Sequence, residues 1–276
     1  MNSTLKTRGL TAIVFIAVMI AGIFFNSYSF VLLISTIIGG CIWEFQSITC
    51  EKNVLRLIIC LTGAIVISLF LAAANSNPAF DHLIVDSIFV LILTIILVCI
   101  LELFSHSKNP YKNISFSIFS VVYFSFFISS FFFIAFHDEG HHLPWLIFAI
   151  IALTWTNDTM AYIVGSQIGK NKMSPQISPN KTWEGTVGGI AFTIVFALLC
   201  YYFLGYFTPF QWVVIALIIG IFGTFGDLVE SMLKRSLSVK DTGTLLPGHG
   251  GLLDRFDSFT FHLPLTVYFI ELTSRF

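Results

Sequence analysis

Charge is scarce in this sequence. Only 11% of its 276 residues are Asp, Glu, Lys or Arg, against about 25% in soluble domains, which excludes an ordinary water-soluble globule. The alternating short segments of a transmembrane barrel are also missing. The five cysteines (Cys41, Cys50, Cys60, Cys99 and Cys200) lie scattered, mostly in apolar runs, with no CxxC pair. They read as small apolar side chains. The N-terminal MNSTLKTRG lacks a small-residue cleavage site before the next apolar run, so that run is read as a retained first helix. No repeat at a solenoid period, no internal symmetry of the transporter kind and no soluble stretch long enough to fold alone can be found. No nucleic-acid partner is expected.

What remains is apolar. Hydrophobic residues make up 56% of the chain and the mean hydropathy is +0.89. Runs near the roughly 20 residues that cross a bilayer recur along it. The expected fold class is all-α, a polytopic integral membrane protein with about nine transmembrane helices. The spans are expected near 10–25, 28–43, 54–74, 84–104, 116–136, 143–164, 186–206, 211–230 and 258–274. Lys and Arg fall in alternate connections only. Thirteen of the fourteen lie on one side, and Arg275 alone lies on the other. The positive-inside rule makes the crowded side, with the N-terminus, cytoplasmic. The expected location is a bacterial-type inner membrane. The longest polar connections, 165–185 and 231–257, are both on that side. Residues 1–142 are therefore read as N-terminal transmembrane helices, about five spans, and 143–276 as the C-terminal transmembrane region where function is expected.

Carboxylates mark three segments of that region. Asp158 lies 14 residues after Pro144 and Asp227 lies 16 after Gln211, or about 21 and 24 Å at 1.5 Å per residue. Both stop short of the far side of a hydrocarbon core about 30 Å thick. The last span is barely long enough as drawn, so its helix is expected to start earlier and bring Asp254 and Asp257 to a similar level. Asp227, Glu230 and Lys234 share one helical stripe, and Asp254 and Asp257 are spaced i,i+3. Intramembrane charge needs compensation. Carboxylates facing one another would suit Mg²⁺, possibly two ions, which prefers hard oxygen ligands and leaves positions for water and phosphate. The plainer alternatives are a Glu230–Lys234 salt bridge and an Asp158–Asn157 polar contact.

Between Ser231 and Asp257 the sequence is SMLKRSLSVKDTGTLLPGHGGLLDRFD. Gly248, Gly250 and Gly251 beside Pro247 and His249 permit a turn whose N–H groups face an anion. Gly220, Gly223 and Gly226, with Gly185 and Gly189, allow close helix approach; they permit a homodimer and internal packing equally. The loop GSQIGKNKMSPQISPNKTWEG supplies Lys170, Lys172 and Lys181, and Ser178-Pro179 signals a turn there. Cations there suit phosphate or act as membrane anchors. The HDEGHH segment, His137 to His142, could hold a metal but lies on the opposite side. It is read as a solvated loop.

The 231–257 segment resembles the signature of the phosphatidate cytidylyltransferases, also called CDP-diacylglycerol synthases. The residues that carry the likeness are Ser231, Lys234-Arg235, Lys240-Asp241, Gly243, Pro247, His249-Gly250-Gly251, Asp254-Arg255 and Asp257. Upstream, Asp158, Ala161-Tyr162, Gly165 and SPNKTWEG are also similar, with Asn180 where a lysine is common. The N-terminal half resembles the family only in hydropathy and length. The resemblance implies an Mg²⁺-dependent reaction of CTP with phosphatidic acid, at the bilayer, giving CDP-diacylglycerol and pyrophosphate. A Ser–His–Asp arrangement is absent, and none is required, because the lipid phosphate is already anionic. Under the resemblance, Asp227, Asp254, Asp257 and Glu230 are metal candidates. Lys181, Lys234, Arg235, Lys240, Gly250, Gly251, Arg255 and Asp158 are candidates for substrate or phosphate contact. Asp227, Asp254, Lys240 and His249 are the catalytic candidates. A CTP-dependent lipid kinase and a cation-coupled transporter are the rival readings.

Overall fold

The structure, a computed structural model, describes residues 2–138, 140–248 and 250–274. Nine α-helices are found there. They are α1 (Asn2–Phe24), α2 (Ser27–Thr49), α3 (Val54–Ser76), α4 (His82–Phe104), α5 (Pro110–Ala135), α6 (Pro144–Ile168), α7 (Trp183–Leu204), α8 (Pro209–Ser236) and α9 (Leu253–Ser274). The all-α membrane class and the count of nine helices hold. Seven of them, α2 to α8, are long and apolar enough to cross a bilayer, and Gly9–Phe24 is a shorter apolar stretch. α9 is less apolar along its length: Asp254, Arg255 and Asp257 occupy its first turns, and His262, Pro264 and Glu271 follow. As expected, α9 begins before Ser258.

Local chemistry sets the helix ends. Asn26 and Thr208 form capping boxes with Ser29 and Gln211, and Asn53 and Thr182 cap α3 and α7. In each case a side-chain oxygen takes a backbone N–H that has no partner within the helix. Pro110 and Pro209 stand in the first turn of α5 and α8, where a missing N–H costs nothing. Gly205 ends α7 in the left-handed conformation, φ 66°, which suits a residue without Cβ. α8 has 28 residues, about 42 Å at 1.5 Å each. That exceeds the roughly 30 Å hydrocarbon core, so its basic end can reach water.

The non-helical regular structure is a small antiparallel hairpin, β1 (Lys172–Ser174) and β2 (Ser178–Thr182). Its turn falls at 175–177, not at Ser178-Pro179. Pro179 sits in β2, where an edge strand tolerates the lost donor.

The chain forms two compact units. One comprises Met1–Leu143 with Asp241–Arg255, the other Pro144–Lys240 with Phe256–Phe276. In the first, a buried polar seam ties the α2–α3 connection to the α4–α5 connection. Arg56 pairs with Glu102, both nearly inaccessible, and also donates to the Glu51 carbonyl. Ser105 and Ser107 donate to Glu102 at 2.8 and 2.6 Å, and Glu51 accepts from the Lys108 and Asn109 N–H groups. Arg56, counted above as a topology charge, is thus committed inside the protein. Removing one partner of a buried ion pair leaves an uncompensated charge, which costs about 3–5 kcal/mol. Arg56→Met is therefore expected to lower the thermal unfolding midpoint of the detergent-purified protein sharply. The double variant Arg56→Met/Glu102→Gln should recover much of the loss.

His142 also belongs to this unit. Its ring lies 5.5 Å from Phe30 and 6.0 Å from Phe136, and burial pushes its pKa down. It packs rather than lying in a solvated loop. Glu139 of the same segment lies outside the described residues.

In the second unit, α6, α7, α8 and the part of α9 from Phe256 onward to Ser274 pack through small residues. A Cβ on Gly189 would stand 2.8 Å from the Asn157 carbonyl, and one on Gly226 2.7 Å from the Asp257 carbonyl. Real contacts are not that short, so these glycines let backbones meet and bring the acids of separate helices near one another.

Candidate active site

In the second unit, Lys181 and Asp227 meet. Lys181 is on β2, next to the Thr182 cap of α7, and its Nζ lies 2.5 Å from Asp227 Oδ2 on α8. The ammonium also donates to the Thr224 carbonyl at 3.3 Å, and Ser231 Oγ donates to Asp227 Oδ1 at 3.3 Å. The two side chains keep 25% and 33% of their surface accessible, so a substrate can reach them. Asp158 is exposed on α6. It lies within electrostatic range of both Lys181 and Asp227 and accepts from Asn157 Nδ2 at 3.4 Å. Asp257, half-buried on α9, feels the negative charge of Glu230, Asp227 and Asp158.

Glu230 and Lys234 are both buried and form an i,i+4 pair at 2.9 Å. That contact and the Asp158–Asn157 contact were the plainer alternatives; both exist, within a larger cluster. Four acids (Asp158, Asp227, Glu230, Asp257) stand with two ammonium groups (Lys181, Lys234), so acids outnumber cations in the cluster. Among the described residues no three His, Cys, Asp or Glu side chains form a group ready to hold a metal.

The hairpin is tethered to this unit at two points. Glu184, in the first turn of α7, accepts from the Lys170 N–H at 3.1 Å and from Asn171 Nδ2 at 2.7 Å. Arg235, near the end of α8, donates to the Ile177 and Val239 carbonyls, both at 3.4 Å. Lys240 is exposed at the end of the unit.

The glycine-rich segment belongs to the first unit. Gly248 and Gly250 have φ of 79° and 86°, the left-handed region that glycine enters without strain. Leu246 N–H donates to the Gly250 carbonyl at 3.1 Å. The N–H groups of Thr242 and Gly251 converge on an anion, and that anion is the protein's own Asp254: its Oδ2 accepts at 3.1 and 2.8 Å. Arg255 follows, exposed, in the same turn of α9. His249 lies outside the described residues.

One acid was overlooked. Glu44 on α2 is fully buried, and its Oε2 accepts from the Leu253 N–H at 2.8 Å and from Thr242 Oγ1 at 3.3 Å. Ending the second span at residue 43, just before its acid, placed Glu44 in a connection. The helix continues to Thr49. A lone acid that close to the end of an apolar run was the available signal.

A sequence-family model described as "Cytidylyltransferase family" matches residues 6–273. The chain belongs to this family. The match extends through the N-terminal helices, so kinship there exceeds the hydropathy and length noted above. Over 163 residues the chain is 43% identical to the phosphatidate cytidylyltransferase of Staphylococcus aureus (strain COL), covering 58% of this chain and 60% of that one. The protein of that name in Bacillus subtilis (strain 168) is 44% identical over 137 residues, 49% of this chain and 51% of the other. The one in Staphylococcus haemolyticus is 41% identical over 162 residues, 58% and 60%. The aligned part thus spans about three fifths or less of these relatives. Family membership and the helices together make this a membrane protein.

Proposed function

We propose that this protein is a phosphatidate cytidylyltransferase. A phosphate oxygen of phosphatidic acid attacks the α-phosphorus of CTP, the α–β phosphoanhydride bond breaks, and CDP-diacylglycerol and pyrophosphate result. The observation that carries the proposal is the accessible Lys181–Asp227 pair among the acids of α6, α8 and α9, in a chain of this family. The nucleophile is already an anion, so no side chain has to remove a proton. The barrier is charge repulsion between lipid phosphate and triphosphate, which preorganised cations reduce.

Lys181 is assigned to the phosphates: its ammonium is held by Asp227 and Thr224 but stays reachable. Lys240 and Arg255, both exposed, are assigned to the triphosphate, with His249, Gly250 and Gly251 from the sequence pattern. Lys234 is tied to Glu230 and Arg235 to backbone carbonyls. Their contribution to the lipid headgroup would come from positive field at the end of α8. Asp158 orients Lys181 through the field it shares with Asp227.

Magnesium enters on donor chemistry. The acids outnumber the cations and offer oxygen donors, the ligand type that a hard divalent cation takes, with Asp227 and Asp257 as the residues that would hold it. Asp254 and Glu230 are the further acids of the sequence pattern; here the first binds backbone N–H groups and the second binds Lys234. When bound, the ion would neutralise phosphate charge and the leaving pyrophosphate. A cytoplasmic site in a bacterial-type plasma membrane, with 143–276 as the catalytic region, suits soluble CTP and a lipid acceptor. The GxxxG glycines of α7, Gly185 and Gly189, pack against α6, so their spacing gives a homodimer no support.

The test incubates purified protein with cytidine-labelled CTP, phosphatidic acid and Mg²⁺, with and without chelator. Lipid-extractable cytidine label with equimolar pyrophosphate, abolished by chelation, is the expected result. Release of CDP with a phosphorylated lipid would establish the kinase instead. Cation-coupled flux in vesicles without CTP turnover would establish the transporter.

A further inference from the structure

Glu44 has no ion-pair partner among the described residues, and its second oxygen, Oε1, is buried with no hydrogen-bond donor there. An apolar residue could fill this place in α2 without burying a polar group; what the carboxyl group adds is the hydrogen bonds it accepts. Thr242 is gripped at both ends: its N–H by Asp254 and its hydroxyl by Glu44. Glu44 also takes the N–H of Leu253, the first residue of α9, where a helix presents unpaired donors and positive potential. The two glycines beside it fit this contact. A Cβ on Gly243 or Gly251 would collide with the Glu44 carboxylate.

We infer that Glu44 is a positioning residue: from α2 it fixes the 241–252 loop and the first turn of α9 in the conformation that the reaction requires. The inference rests on the proposed cytidylyl transfer. Its mechanism is acceptor geometry. One oxygen serves two donors, and losing it frees Thr242 and the start of α9 together.

Glu44→Ala, Glu44→Gln, Thr242→Val and the Glu44→Ala/Thr242→Val double variant test it. Two readouts are used: kcat for labelled CDP-lipid, and trypsin cleavage after Lys240, mapped by mass. Glu44→Ala is expected to lower kcat about 30-fold, a modest misplacement effect, and to speed cleavage at Lys240 about tenfold while leaving cleavage at Lys52 and Lys108 unchanged. Glu44→Gln keeps an oxygen in place and should restore slow cleavage and most of kcat. The double variant should be no worse than Glu44→Ala within about twofold, as expected for residues in one network.

Cleavage and kcat within about threefold of wild type in Glu44→Ala would overturn the inference. So would Glu44→Gln as damaged as Glu44→Ala, losses that multiply, or cleavage accelerated equally at all sites. If Glu44→Ala does not accumulate, Thr242→Val decides by its cleavage at Lys240, and no change there overturns the inference. An inactive wild type would defeat the cytidylyl-transfer reading, while the cleavage pattern would still judge the contact itself.

Discussion

Asp227→Asn is expected to lower the rate of CDP-lipid formation by about a thousandfold, at the upper end of what a single electrostatic group contributes in a water-poor site. Asp227 holds Lys181 at 2.5 Å and adds to the negative charge around Asp257. An amide can still accept from Ser231, but it carries no charge to orient the ammonium or to hold a divalent cation. Lys181→Met is expected to be damaging as well, because it removes the cation and leaves Asp227, among the described residues, with the Ser231 hydroxyl. The two act as one device, so the Asp227→Asn/Lys181→Met variant should be little worse than Asp227→Asn alone. Initial rates at saturating CTP and phosphatidic acid, on protein shown by its elution profile to be intact, provide the check. An Asp227→Asn enzyme within about tenfold of wild type would remove this pair from the mechanism.

The second large effect concerns Asp254. Asp254→Ala is expected to cost about a hundredfold to a thousandfold in kcat and to open the 241–252 loop to trypsin at Lys240. Its Oδ2 takes the N–H groups of Thr242 and Gly251, so alanine leaves two backbone donors without their acceptor. Asp254→Asn separates two roles of one side chain. An amide oxygen can accept both N–H groups, which should restore resistance to trypsin. The negative charge does not return, and charge-assisted bonds are roughly twice as strong as neutral ones. Activity should therefore stay well below wild type although the loop is closed. Full activity in Asp254→Asn would show that the loop needs only an acceptor and the chemistry needs no charge there. A loop still open in Asp254→Asn would show that the charge itself maintains the turn.

Most of the helical architecture was legible in the sequence because hydropathy over about 20 residues reports directly on burial in lipid. The signature acids were legible too, since Asp158, Asp227, Asp254 and Asp257 stand out against apolar or glycine-rich surroundings. Failures fell where local pattern and tertiary partner disagree. The second span was drawn only to residue 43, whereas α2 runs on to Thr49 and carries Glu44. Its buried donors, Thr242 and Leu253, are about 200 residues away, beyond any window of hydropathy. Arg56 was one of the thirteen positive charges counted for topology, yet Glu102 takes it inside the protein. The turn of the hairpin was misplaced by a proline that an edge strand accepts. The glycine loop suggested an anion, and the anion its N–H groups meet is the Asp254 carboxylate of the same segment.

The sequence by itself determined the solvent of this protein, its helices, and which polar residues cannot be there for packing alone. Those follow from composition and short-range periodicity, which act residue by residue. Only the tertiary structure decided partnership: Lys181 with Asp227, Asp254 with Thr242 and Gly251, Glu44 with the start of α9. Hydrogen bonds and ion pairs reach only about 3 Å, so which donor meets which acceptor depends on how separate segments pack, and the order of residues along the chain does not encode that distance locally.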